Sequence, residues 1–148
     1  MSSELITPFE QKSIATTLDQ LAASLNESSV DKGFWDDEDA VVSMIDRDAV
    51  MDTRDKTGFR ERMLRMMTSL KLFLVVTEVA ELCDALRLPG DVNDSQKIPG
   101  FSNQEEEAAD AVIRILELCH RRGWRIGEAV VAKAIYNTGR EYMHGRHF

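Results

Sequence analysis

The chain has little that bends or crosslinks a backbone. In 148 residues there are three prolines and eight glycines, and they cluster at Pro89-Gly90, Pro99-Gly100 and Gly123. Long stretches therefore run without a breaker, and no run of alternating β-branched residues appears, which excludes a sheet protein. The two cysteines, Cys83 and Cys119, lack a CxxC partner and sit in apolar helical patterns. They read as buried free thiols rather than zinc ligands. The longest apolar run, Leu72 to Val76, is far too short to span a bilayer. Met1-Ser2-Ser3-Glu4 carries no basic start followed by an apolar segment. The expectation is a cytoplasmic protein with no membrane partner. Basic charge is scarce too: 18 Lys and Arg stand against 26 Asp and Glu, a net charge of −8. Such a balance argues against nucleic-acid binding, which needs cations to neutralise phosphates.

What is present is helical periodicity. A single all-α domain over residues 1–148, a bundle of about five helices, is expected. The first helix starts at Thr7 as N-cap with Pro8 behind it and runs to about Leu25, followed by a polar loop from Asn26 to Lys32. The second opens on Asp36-Asp37-Glu38-Asp39, acids suited to a helix N-terminus, and reaches about Val50. A charged connection, Asp52 to Gly58, precedes a long third helix from Phe59 to Leu86. Its core stripe is expected at Leu72, Val75, Val79, Leu82 and Leu86. The fourth helix begins near Ser102 or Asn103 and ends near Arg122, with Gly123 as C′ residue. Its expected core face is Ala108, Ala109, Val112, Ile113, Leu116 and Cys119. The fifth covers about Ile126 to Thr138, and the tail from Glu141 to Phe148 reads as irregular.

Two carboxylate pairs stand out, Glu78 with Glu81 and Glu107 with Asp110. Residues three apart share one helix face. Two such helices side by side would mass four carboxylates, which repel unless protonated or bridged by a cation. Oxygen ligands without His or Cys point to Mg²⁺ or Mn²⁺. The competing reading differs between the helices. Asp110–Arg114 and Glu117–Arg121 are i,i+4 pairs, so the fourth helix's polar strip suits a solvated face. Glu78, in contrast, lies in line with Leu70 and Leu74, where an unpartnered carboxylate is costly. On the fifth helix Lys133, Asn137 and Arg140 step by four and three, flanked by Tyr136, as a clamp for phosphate and sugar would.

Thr77-Glu78-Val79-Ala80-Glu81 and Glu106-Glu107-x-x-Asp110-x-Val112-Ile113-Arg114-Ile115 resemble the all-α nucleoside triphosphate pyrophosphohydrolases, specifically the MazG-like branch. That family carries Glu-Glu-x-x-Glu on one helix and Glu-x-x-Asp on the next. Lys133-x-x-Tyr136-Asn137-x-x-Arg140, His144-Gly145, the final Phe148 and Lys32-Gly33-Phe34-Trp35 are also similar to it. The likeness covers most of residues 30–35 and 70–148. Thr77 departs from it, standing where the family has its first Glu, and the stretch Asp36 to Thr68 is longer than in compact members.

The resemblance implies hydrolysis of an NTP or dNTP to the monophosphate and pyrophosphate. It implies Mg²⁺ on Glu78, Glu81, Glu107 and Asp110, with Glu78 orienting the attacking water. Lys133 and Arg140 would hold phosphate and Asn137 phosphate or sugar. Trp35 would stack on the base or, equally, fill the core. A homodimer or homotetramer with shared sites is implied as well. Alternatives are a phosphoribosyl-ATP substrate and a nucleotide-sensing or oligomerisation module without turnover. A di-iron bundle built on Glu117-x-x-His120 and Glu141-x-x-His144 is a further, weaker one.

Overall fold

The computed structural model describes residues 7–87 and 94–140. They form five helices: α1 (Pro8–Asp31), α2 (Asp36–Arg47), α3 (Thr53–Ala85), α4 (Asn103–Arg121) and α5 (Ile126–Thr138). Among these residues the only extended pairing is an isolated bridge between Asp94 and Ser102. The fold is an all-α bundle. The expected tail, with Glu141, His144, Gly145 and Phe148, lies outside the described residues.

Local chemistry sets the helix ends. Thr7 and Glu10 cap α1 reciprocally, and Ser102 and Glu105 do the same for α4. Asp52 accepts from the Arg54 and Asp55 amides and starts α3, so most of the expected connection before Gly58 is helix. Gly123 ends α4 at φ 66°, a conformation that suits glycine.

The first helix runs six residues beyond the expected Leu25. Its last turns are polar but not solvated. Asn26 and Ser29 are buried, with the Asn26 amide donating to the Glu117 carbonyl at 3.4 Å. The Trp35 indole donates to Ser29 Oγ at 2.9 Å. Tertiary partners thus carry the helix through a stretch whose composition suggests a loop.

α3 and α4 pack antiparallel. From one end of the seam to the other, Gln104 donates to the Ala85 carbonyl at 3.1 Å, Arg114 pairs with Glu78, and Arg122 Nε donates to Thr68 Oγ1 at 2.7 Å. α1 lies against both α4 and α5, and α2 against α3. A Cβ on Gly127 would stand 2.1 Å from the Ala15 carbonyl oxygen, so α5 approaches α1 as closely as only glycine permits. Asp19 on α1 accepts from the Gly127 amide at 2.9 Å and serves the open N-terminus of α5.

The inward face of α3 differs from the expected stripe. Leu72, Val79 and Leu86 are exposed, and Glu78 and Ala85 are the buried residues of this helix. On α4, Leu116 and Cys119 are buried as expected, whereas Val112 and Ala109 are exposed. Cys83 is exposed, contrary to the expected buried thiol. The buried apolar residues are few and mostly small; Trp35 and Leu118 are the largest.

Candidate metal centre and adjoining cavity

The polar strip of α4 is not a solvated face. Neither expected i,i+4 pair forms among the salt bridges of the described residues. Arg114 reaches across to Glu78 on α3, and Arg121 reaches Glu38 and Asp39 on α2. A buried carboxylate is a stronger attractor than an exposed neighbour on the same helix, because less water screens it. Glu38 gathers two guanidiniums. Arg122 donates to both its oxygens at 2.7 and 2.5 Å, and Arg121 lies at 3.4 Å. Burial pushes the Glu38 carboxyl up, but Arg122 and Arg121 outweigh it and hold it below its ordinary value.

With α4 turned inward, Glu78, Glu107 and Asp110 converge. Each offers an oxygen within 4.8 Å of the others. Glu78 is 5 % exposed. Glu107 Oε2 is buried and has no hydrogen-bond partner. Burial, then the charges of Glu81, Glu106 and Asp110, push the Glu107 carboxyl above its ordinary value, against a smaller pull from Lys97. Glu81 therefore acts on the cluster through its charge, but it is exposed and stands outside the three. Thr77 spends its hydroxyl on the Leu74 carbonyl at 2.7 Å, one turn back along its own helix.

Adjacent carboxylates take different roles. Glu106 is buried and bonds Ser95 Oγ and Lys97 Nζ, the latter at 2.5 Å. Ser95 Oγ in turn accepts from the Ile98 amide at 2.9 Å. Glu106 thus anchors the segment leading into α4, leaving Glu107 for the cluster.

Beside the cluster lies a cavity of about 320 Å³ between α1, α3 and α4. Asp110 and Arg114 line it and so border both features. Its other polar walls are Ser28, Ser29, Lys32, Lys71 and Glu117; Phe34, Trp35 and Leu74 are among the apolar ones. Trp35 is 2 % exposed and walled by cations, with Lys71 Nζ 4.3 Å and Arg121 5.2 Å from its ring centre. It is a core residue with one side on the cavity.

Lys71 and Arg114 are absent from the candidate set drawn from the sequence, and Glu117 entered it only as a ligand of the di-iron alternative. The signal for them was spacing: Lys71 is two turns before Glu78, and Glu117 two turns after Asp110.

The expected stripe of the fifth helix stands apart, and α5 ends at Thr138, so Arg140 lies beyond the helix rather than on its face. Lys133, Tyr136, Asn137 and Arg140 are all exposed, and none lines the cavity or joins the cluster. The two cations lie over the Tyr136 ring, Lys133 at 4.5 Å and Arg140 at 5.8 Å. His120 is also exposed, and its partner motif at Glu141 falls outside the described residues.

The donors of the cluster are all hard oxygens, and one of them is buried without a partner. A divalent cation of the Mg²⁺ type fits both facts. The chain matches no family model, no curated protein and no solved structure.

Proposed function

We propose that this protein is a nucleoside triphosphate pyrophosphohydrolase of the MazG-like type, cleaving an NTP or dNTP to the monophosphate and pyrophosphate. The observation that carries the reading is the orphaned Glu107 oxygen within a three-carboxylate cluster, set against a cavity that holds Lys32, Lys71 and Arg114. Buried polar atoms in folded proteins have partners. A cation held among the three carboxylates would give that oxygen its partner and offset their mutual repulsion.

Glu78, Glu107 and Asp110 would hold Mg²⁺ or Mn²⁺, with Glu81 adding charge from the rim. When bound, such an ion supplies Lewis-acid stabilisation of phosphate oxygens and lowers the pKa of water. Phosphoryl transfer asks the protein mainly for positioning and charge compensation. Arg114 fixes the Glu78 carboxylate and marks the border between cluster and cavity. Glu78, paired with Arg114, would orient a water or accept its proton. The cations of the cavity wall attract a polyanion into a site whose own charge is negative.

A second copy of the chain completes the reading. α3 and α4 expose a set of apolar side chains, Leu70, Phe73, Val76, Val79 and Val112. A homodimer or homotetramer would cover them. In that assembly Lys133, Asn137 and Arg140 of one subunit would meet the triphosphate at the cluster of another.

A non-catalytic nucleotide-binding module is the second reading, favoured by two observations: Thr77 stands where a further carboxylate would be, and Glu81 is exposed. Pyrophosphate release with Mg²⁺ over a panel of NTPs and dNTPs separates the two. Release that disappears in Glu107→Gln and Asp110→Asn supports the enzyme. Metal-dependent nucleotide binding without pyrophosphate supports the module.

A further inference from the structure

Lys71 and Glu117 sit at matched depths. Each is seven residues, about 10.5 Å along its helix axis, from a member of the carboxylate cluster. Because α3 and α4 run antiparallel, both steps lead the same way from the cluster into the cavity. Both side chains line it, and each feels the other's charge. The Lys71 ammonium donates to the Phe34 carbonyl and lies over the Trp35 ring, with further N–H bonds left to give. The Ser29 hydroxyl donates to the Asn26 carbonyl at 3.0 Å, and the Glu117 carboxylate, on the same cavity wall, has acceptor capacity to spare. Phe34, exposed at the edge of the same cavity, and Trp35 supply aromatic surface.

One wall thus offers a carboxylate acceptor beside an ammonium donor, about a nucleoside's length from the carboxylate cluster. We propose that this cavity is the nucleobase pocket and that Glu117 and Lys71 are its specificity residues, selecting a base with both an amino group and a carbonyl, cytosine or guanine. Glu117 accepts from the amino group, and Lys71 donates to the carbonyl oxygen. Adenine has no carbonyl for Lys71. Uracil and thymine flank their single ring N–H with two carbonyl oxygens, one of which would face the carboxylate. The inference rests on the nucleotide reading of the cluster.

Nucleoside monophosphates test it apart from hydrolysis, since they hold no anhydride to cleave. Wild-type protein with Mg²⁺ is titrated calorimetrically with CMP, GMP, UMP and AMP. CMP or GMP is expected to bind about tenfold or more tighter than UMP and AMP. Glu117→Gln, whose amide can also donate, is expected to bring UMP within about twofold of the preferred ligand. Lys71→Met is expected to weaken CMP and GMP and leave AMP unchanged. Equal affinity for all four ligands in the wild type overturns the proposal, as does binding of none, and neither of these outcomes depends on a variant folding. A clear CMP or GMP preference without pyrophosphate release from any triphosphate upholds the pocket and overturns the catalytic reading alone.

Discussion

At the residue scale, the cluster holds charge that the protein alone does not neutralise. Glu107 has a raised pKa, so its protonated form is favoured on folding. Its contribution to stability is present below the ordinary carboxyl value of 4.5 and is lost as pH rises through the raised value. Near neutrality the ion-free protein therefore bears a cost that a cation would remove. Mg²⁺ or Mn²⁺ should raise the melting temperature at pH 7.5 and do so much less at pH 5, because ligands must be deprotonated to bind. Glu107→Gln should abolish that increase and leave the ion-free protein as stable as wild type or more stable by up to about 1 kcal/mol. An unchanged metal response in this variant would remove Glu107 from the site. Glu38 behaves in the opposite sense. Its lowered pKa means stability that is present above 4.5 and lost as pH falls through the depressed value. Glu38→Ala leaves Arg122 without its buried partner and should cost about 3–5 kcal/mol in urea unfolding at pH 7.

At the element scale, the site depends on which face of α4 turns inward, and that is settled by its neighbours. Glu38 from α2 and Glu78 from α3 draw Arg121 and Arg114, and rotate the strip that periodicity alone would leave in water. The α1–α5 contact is tighter and simpler. Gly127→Ala would drive a methyl into the Ala15 carbonyl and should destabilise the fold by roughly 1–3 kcal/mol, seen as a lower melting temperature. A neutral outcome would show that α5 can slide on α1. Ser29→Ala removes the acceptor of the buried Trp35 indole and should cost about 1–3 kcal/mol. The end of α1, read from its composition as a loop, depends on this bond and on Asn26. Polar residues favour a loop only when water is their best partner.

At the scale of the whole molecule, two groups expected in one site stand apart within the chain. The carboxylates lie in the α3–α4 seam, and Lys133 and Asn137 lie exposed on α5 with Arg140 just beyond its end. An oligomer that buries the apolar residues of α3 and α4 can join them between subunits. Light scattering coupled to size exclusion should then give a mass of two or four chains. Mixing and reassembling Glu107→Gln with Lys133→Ala, each inactive alone, should restore part of the pyrophosphate release, since some interfaces then pair one intact cluster with one intact stripe. A monomeric mass, or no recovery with confirmed subunit exchange, would leave the stripe without a role in the site.

The sequence by itself determined the helical class, most helix starts and the pairing of Glu107 with Asp110 on one helix face. These depend on interactions within a turn or two: the Thr7 and Ser102 capping boxes, the left-handed Gly123 and the three-residue carboxylate spacing. Only the tertiary structure decided that Glu78 joins the cluster and Glu81 stays on its rim, that Glu106 anchors a loop, and that Lys71 and Glu117 face one cavity. The physical reason is that α3 from Leu70 onward carries apolar residues on several faces, so periodicity leaves its inward face undetermined. Charged partners on α4 select that face, and their choice depends on burial and distance, which spacing along a chain does not encode.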